Sequence, residues 1–238
     1  QHYEIGARHY RNVVGFRRGL VPGAAVRVIG AHYDALGPGP AADDNASGVA
    51  ALLELVRSRP AVPPRRSQYF VAFGGGEHTD AAGTGSRHFA RALRSDGIEV
   101  DLMLALDGVG HFTDAPGSQR FPFPGLGLLY PDRGNYLVIA GDLGSGRVLK
   151  RVRGAIESMT DLPVHTVRFP SAVWGGMGSD HRAFRELGMP GVLVTDLPEL
   201  RVPWHGAEQD TADKLDYERM AEVVRGLHSV VLNRDVAD

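Results

Sequence analysis

Apolar residues along the chain fall into short runs separated by helical stripes. The runs at 12–15, 25–29, 69–73, 102–106, 136–140, 164–167 and 191–195 predict strands. The Pro22-Gly23 turn between the first two predicts a hairpin. From Ser47 onward Val49, Leu52, Leu53 and Val56 recur at helical spacing until Pro60, Pro63 and Pro64 end the run. Further helices are expected at 86–93, 147–159 and 180–187. Met220, Val223, Val224, Leu227 and Val231 mark one face of a long closing helix. Strands alternating with helices imply an α/β fold, with a largely parallel sheet flanked by helices on both faces.

Composition narrows this picture. At 238 residues without a break in character, 1–238 is expected to be a single domain. A hydrophobic content of 43% and a charged content of 23% set the chain apart from disordered sequences. The net charge of -2 and scattered arginines present no basic face, so nucleic acid is not an expected partner. No apolar run approaches the ~20 residues of a membrane helix, so no membrane span is expected. With no cysteine, any metal must be held by imidazole and carboxylate. The start at Gln1, without Met, is what a removed signal peptide leaves, and equally what trimming leaves; secretion is one expectation and the compartment stays open.

Candidate chemistry clusters at predicted strand ends. His32 and Asp34 follow the run at 26–29; the imidazole can bind metal, and a carboxylate two residues on can fix its tautomer. Asp43 and Asp44 stand before the first helix, where one acid suffices as a cap and a second has the geometry to bridge two cations. Glu77 follows the strand at 69–73, Asp107 follows that at 102–106, and His205 lies in a loop before the last helix. Each alone is ordinary. Together they place His, Asp, Glu, Asp and His where an α/β sheet gathers its ligand-binding edge. Ser179-Asp180-His181 holds the residue types of a serine hydrolase, but neighbours on a helix do not face one another, so it is no triad.

Gly30-Ala31-His32-Tyr33-Asp34, Asp43-Asp44-Asn45-Ala46-Ser47-Gly48, the strand into Glu77, Leu106-Asp107-Gly108-Val109-Gly110, Ser179-Asp180-His181, and His205 followed by Asp210 to Asp216 resemble the zinc-dependent aminopeptidases of the M28 family, in order from about Arg11 onward. The resemblance implies a zinc exopeptidase fold with a mixed sheet, two zinc ions with one as the alternative, and a peptide or aminoacyl amide substrate. It implies Asp44 as the bridge, His32 and Asp107 on one metal, and His205 with a glutamate on the other. Asp180 matches a site-lining residue, while Asp210 is expected to cap the last helix or order the His205 loop.

One motif departs from the family. Relatives carry two adjacent glutamates after the third strand, a general base and then a zinc ligand; this chain reads Gly76-Glu77-His78. Aligned without a gap, Glu77 is the ligand and Gly76 occupies the base position. With one residue inserted among the glycines, Glu77 is the base and His78 the ligand. The leading expectation is a metal-dependent aminopeptidase. An N-terminal transfer or cyclisation of glutaminyl-cyclase type and a binding homologue without hydrolysis are the alternatives. Trp174, His111, Phe112 and Trp204 are candidates for lining the pocket.

Overall fold

The computed structural model describes residues 1–5, 7–35, 37–75, 85–123, 125–170 and 179–232. Two short strands, β1 (His2–Ile5) and β2 (Arg8–Arg11), form an antiparallel hairpin of their own. The main sheet comprises β3 (Val13–Arg17), β4 (Val26–His32), β5 (Gln68–Phe73), β6 (Val100–Leu106), β7 (Leu137–Asp142), β8 (Val164–Phe169) and β9 (Gly191–Thr195), in spatial order β3-β5-β4-β6-β9-β7-β8. The β4–β5, β4–β6, β6–β9 and β7–β8 pairs are parallel; β3–β5 and β7–β9 are antiparallel. The sheet is therefore mixed and mostly parallel.

The expected hairpin of 12–15 with 25–29 does not form, because β5 lies between β3 and β4. Burial explains the order. All seven residues of β4 are buried, so it needs a strand on each side and cover on both faces. In β3 four of five residues are exposed, which suits an edge. The β1–β2 hairpin went unpredicted because its residues are mostly polar, with Tyr3 the apolar side chain that is turned inward.

Helices cover both faces. α1 (Gly48–Arg57), α3 (Gly146–Glu157) and α6 (Tyr217–Val231) pack Leu55, Val152, Ile156, Val223 and Leu227 on Ile29, Phe70, Leu104 and Leu106. On the other face α2 (Gly85–Ser95) and α4 (His181–Glu186) bring Phe89, Leu93 and Phe184 onto Val28, Val71, Phe73 and Met103. Each such side chain fully removed from water is worth roughly 1.5–3 kcal/mol. A short helix, α5 (Pro198–Arg201), follows β9. No helix among the described residues is long and apolar enough to cross a membrane.

Candidate metal centre

The carboxyl ends of the parallel strands β4, β6 and β9 open on one edge of the sheet, and chemistry collects there. His32 is the last residue of β4, Asp107 follows the last residue of β6, and Asp196 follows the last residue of β9. Asp44 arrives from a wide helical turn, Ala42–Ser47, that leads into α1, with the Asp44–Asn45 peptide bond cis.

His32 Nε2 stands 3.3 Å from Asp107 Oδ1 and 3.4 Å from Asp44 Oδ1, and one ligand atom from each of the three residues lies within 4.8 Å of the others. Around a tetrahedral zinc with bonds of about 2.0–2.1 Å, neighbouring ligand atoms stand about 3.3 Å apart. The spacing and the donor set, one imidazole and two carboxylates, fit that ion. His32 Nδ1 lies 3.0 Å from the backbone carbonyl of Asp34, so that N–H donates there and Nε2 is left facing the carboxylates. Asp34 thus meets the ring through its backbone carbonyl. Burial alone would push the His32 imidazolium down, but Asp107 and Asp44 outweigh it and hold the ring well above its usual range. Asp107 responds in the opposite sense: burial would raise it, and His32 lowers it overall. An imidazole between two carboxylates at the sheet's edge is a group of side chains that could hold a divalent cation.

Asp44 is the pivot. Its Oδ1 faces His32, while its Oδ2 lies 3.5 Å from His205 Nδ1. The turn that carries it is fastened at three points. Asp210, 2% exposed, accepts the Asp43 N–H at 2.9 Å and the Asp44 N–H at 3.2 Å. Asn45 donates to the Leu106 carbonyl at 2.9 Å and accepts from Gly48 and Gly108 N–H. Asp43 accepts from Gly110 N–H at 3.0 Å, and Ser47 links the Asp43 carbonyl to Val109 N–H. The turn is thereby sewn to the segment after Asp107. Asp210 thus acts on the Asp43–Asp44 backbone, and the α6 cap is Asp216, which accepts Arg219 N–H at 3.0 Å.

Beneath this turn lies a second acidic pair that sequence reasoning missed. Asp43 and Asp196 are buried side by side; burial, with the Asp210 carboxylate adding to it, raises Asp43 to about 6, while burial and the neighbouring Asp43 raise Asp196, so the pair keeps a proton above the ordinary range. Asp196 also accepts His111 N–H at 2.7 Å, and the buried Arg201 guanidinium offsets the charge from behind, stacked 4.5 Å over the Tyr136 ring. The available signal was position: Asp196 directly follows an apolar strand, as Asp107 does.

Around the rim, Asp180 is buried within the field of His32, Asp107 and Asp34, and burial pushes its carboxyl up to about 6. Its neighbour His181 is pushed down to about 4 by burial. Glu199 on α5 keeps part of its side chain in solvent, yet its surroundings desolvate the carboxyl and raise it, with Asp107 and Asp44 adding to the effect. Trp204 packs edge-on to His111 at 5.5 Å, with Lys214 Nζ 4.4 Å above its ring, and this arrangement flanks His205. Phe112 is buried in the core of the α1, α3 and α6 face rather than lining an open pocket. Gly76, Glu77, His78 and Trp174 lie outside the described residues.

The family model for Peptidase family M28 matches residues 12–231. The uncharacterized protein YfbL of Escherichia coli is 35% identical over 94% of this chain and 71% of its own length. Among solved structures, the aminopeptidase from Aneurinibacillus sp. strain AM-1 superposes with a TM-score of 0.71 at 26% identity, covering 94% of this chain and 47% of that one. BSAP, a zinc aminopeptidase from Bacillus subtilis, matches with a TM-score of 0.71 at 22% identity over 94% of this chain and 50% of that one. The chain thus spans about half the length of these two enzymes. Ordered motifs, a mixed sheet with candidate ligands at its carboxyl edge and a match over nearly the whole chain lead to one conclusion: the chain belongs to peptidase family M28.

Proposed function

We propose that the chain is a zinc-dependent aminopeptidase that hydrolyses the first amide bond of peptides and aminoacyl amides. The observation that carries this reading is the orientation of Asp44, whose two carboxylate oxygens face two different histidines, His32 and His205, as a bridge between two cations requires. His32, Asp44 and Asp107 would hold one zinc. Asp44, His205 and one residue of the Glu77-His78 pair would hold the second. Zinc bound there supplies a Lewis acid for the scissile carbonyl and an acidified water. In this reading Glu77 takes a proton from the water that adds to the carbonyl carbon, the C–N bond breaks, and the proton passes to the departing amine. The acidic rim of Asp34, Asp180 and Glu199 favours the positive amino group of a substrate's first residue.

Leu197 and Leu200, on either side of Pro198-Glu199, help line a small apolar cavity with Phe121, Tyr136, Val138 and Phe169, so apolar first residues are the ones to try first. The test is a panel of aminoacyl p-nitroanilides, each paired with its N-acetyl form, assayed with the zinc-loaded protein. Release of p-nitroaniline from leucine or phenylalanine derivatives, and none from acetylated ones, is expected. A panel left uncut at full zinc occupancy sinks the reading. Loss of ammonia from a peptide beginning with Gln, without cleavage, would move the assignment to N-terminal cyclisation.

A further inference from the structure

The two ends of the segment that carries Glu77 and His78 are held together, and the residue that holds them belongs to neither end. Gly85 N–H donates to the Gly74 carbonyl at 2.9 Å, which closes a neck across residues 75–84. Asn12, 2% exposed, bridges the same two residues: its Oδ1 accepts Gly74 N–H at 3.2 Å and its Nδ2 donates to the Gly85 carbonyl at 2.8 Å. Tyr3 adds a hydroxyl donor to the Gly74 carbonyl, and Tyr33, next to His32 in sequence, donates to the Arg11 carbonyl at 2.9 Å beside Asn12. The fit is close enough to dictate the flanking residues. A Cβ on Gly85 would collide with the Asn12 side chain and the Gly74 carbonyl, and one on Gly74 would crowd the Arg11 carbonyl and the Tyr33 hydroxyl.

From this geometry we propose that Asn12 is the positioning residue of the Glu77-His78 segment, a carboxamide clamp that fixes Gly74, next after β5, to Gly85 at the start of α2. An amide is the side chain for the task because it offers a donor and an acceptor at once. A carboxylate can accept Gly74 N–H but meets the Gly85 carbonyl with a second oxygen, and alanine does neither. The proposal rests on the aminopeptidase reading for its effect on rate, and on the described contacts alone for its effect on the neck. A misplacement of about 1 Å at a reacting group lowers rate by about 100-fold.

The experiment compares wild type, Asn12→Ala, Asn12→Asp, Glu77→Gln and the Asn12→Ala/Glu77→Gln double variant, all zinc-loaded. Amide hydrogen exchange is followed by mass spectrometry, and kcat and KM with leucine p-nitroanilide. Asn12→Ala should accelerate exchange in peptides covering 74–85 and leave α1, α3 and α6 at wild-type rates. Its kcat should fall by about 10- to 100-fold with KM within about twofold, and Asn12→Asp should not restore it. In the Glu77→Gln background the same substitution should change kcat by less than about twofold, because an action through Glu77 has nothing left to act on. Unchanged exchange at 74–85 in Asn12→Ala overturns the clamp, as does a loss of kcat that simply multiplies that of Glu77→Gln. Faster exchange at 74–85 in Asn12→Ala, together with a wild type that cleaves nothing, would keep the clamp and reject the peptidase reading.

Discussion

Asp210 is where the placement of Asp44, the proposed bridge, can be tested without touching any proposed ligand. Its two oxygens receive the backbone N–H groups of Asp43 and Asp44 at 2.9 and 3.2 Å, from a side chain that is 2% exposed. Asp210→Ala leaves both donors without their acceptor. A buried donor so abandoned costs about 1–3 kcal/mol. Asp43 is fully enclosed and belongs at the top of that range, while Asp44 retains some exposure and belongs lower. The sum is about 3–4 kcal/mol in the zinc-free protein. At roughly 2–4 °C per kcal/mol for a domain of this size, Tm should drop by about 6–16 °C. Because the released backbone carries Asp44, zinc affinity should fall as well, by about 10- to 100-fold, as when the support of a metal ligand is removed. Urea unfolding of the zinc-free protein and titration with zinc against a competing chelator read the two effects separately. Asp213→Ala, on the same segment but exposed, serves as the control and should stay within about 0.5 kcal/mol of wild type. An Asp210→Ala protein within about 1 kcal/mol of wild type, binding zinc equally well, would refute the claim that this carboxylate positions Asp44.

Three further outcomes are expected. In the zinc-free protein Asp180, raised to about 6, stabilises the fold fully below its unfolded value near 3.8, and that contribution is lost as pH rises through 6. His181, lowered to about 4, works oppositely: its contribution is present above 6.5 and lost as pH falls through 4. Each amounts to about 3 kcal/mol. The stability of Asp180→Asn relative to wild type should therefore rise between pH 4 and 6, and that of His181→Leu should rise as pH falls from 6.5 to 4; a flat or inverted difference curve counts against the assignment. Asn45→Ala, which strands the Leu106 carbonyl and the Gly48 and Gly108 N–H groups, should lower stability by about 2–4 kcal/mol at an unchanged urea m-value. If Glu77 is the base, Glu77→Gln should lose about 100- to 10,000-fold in kcat at full zinc content while His78→Ala loses a zinc. The reverse pattern would put Gly76 in the base position, and Gly76→Glu should then raise kcat.

The residues that end strands were legible because an apolar run followed by one acid or imidazole is visible in a single sequence. His32 and Asp107 are of this kind, and Asp196 could have been read the same way. What could not be read are the partners. Asp210 meets Asp43 and Asn12 meets Gly85 across long stretches of chain, and hydrophobic period reports which face a residue takes, not which segment it meets. The hairpin failed for the same reason: the Pro22-Gly23 turn is real, with Gly23 at φ 72°, but a turn cannot show that β5 will enter between its arms. Burial of β4 on every side decided the order, and burial is a property of the assembled sheet.

One irregularity in that sheet connects its order to the chemistry at its edge. β4 and β6 begin in register at Val26 opposite Val100, but the next pair is Arg27 with Leu102, so Asp101 is an extra residue on β6. The extra residue is held by the nearly buried Arg27, whose Nη2 donates to Asp101 Oδ2 at 2.6 Å. From there the pairing runs without a break to Gly30 opposite Ala105, and the same offset carried two residues on would set His32 level with Asp107. Without the extra residue His32 would stand opposite Leu106, which points into the α1, α3 and α6 layer. Because side chains alternate across a strand, a slip of one residue would send the imidazole and its carboxylate to opposite faces. The offset that places His32 Nε2 3.3 Å from Asp107 is thus taken up at the far end of the sheet, six residues before Asp107, where Arg27 holds Asp101.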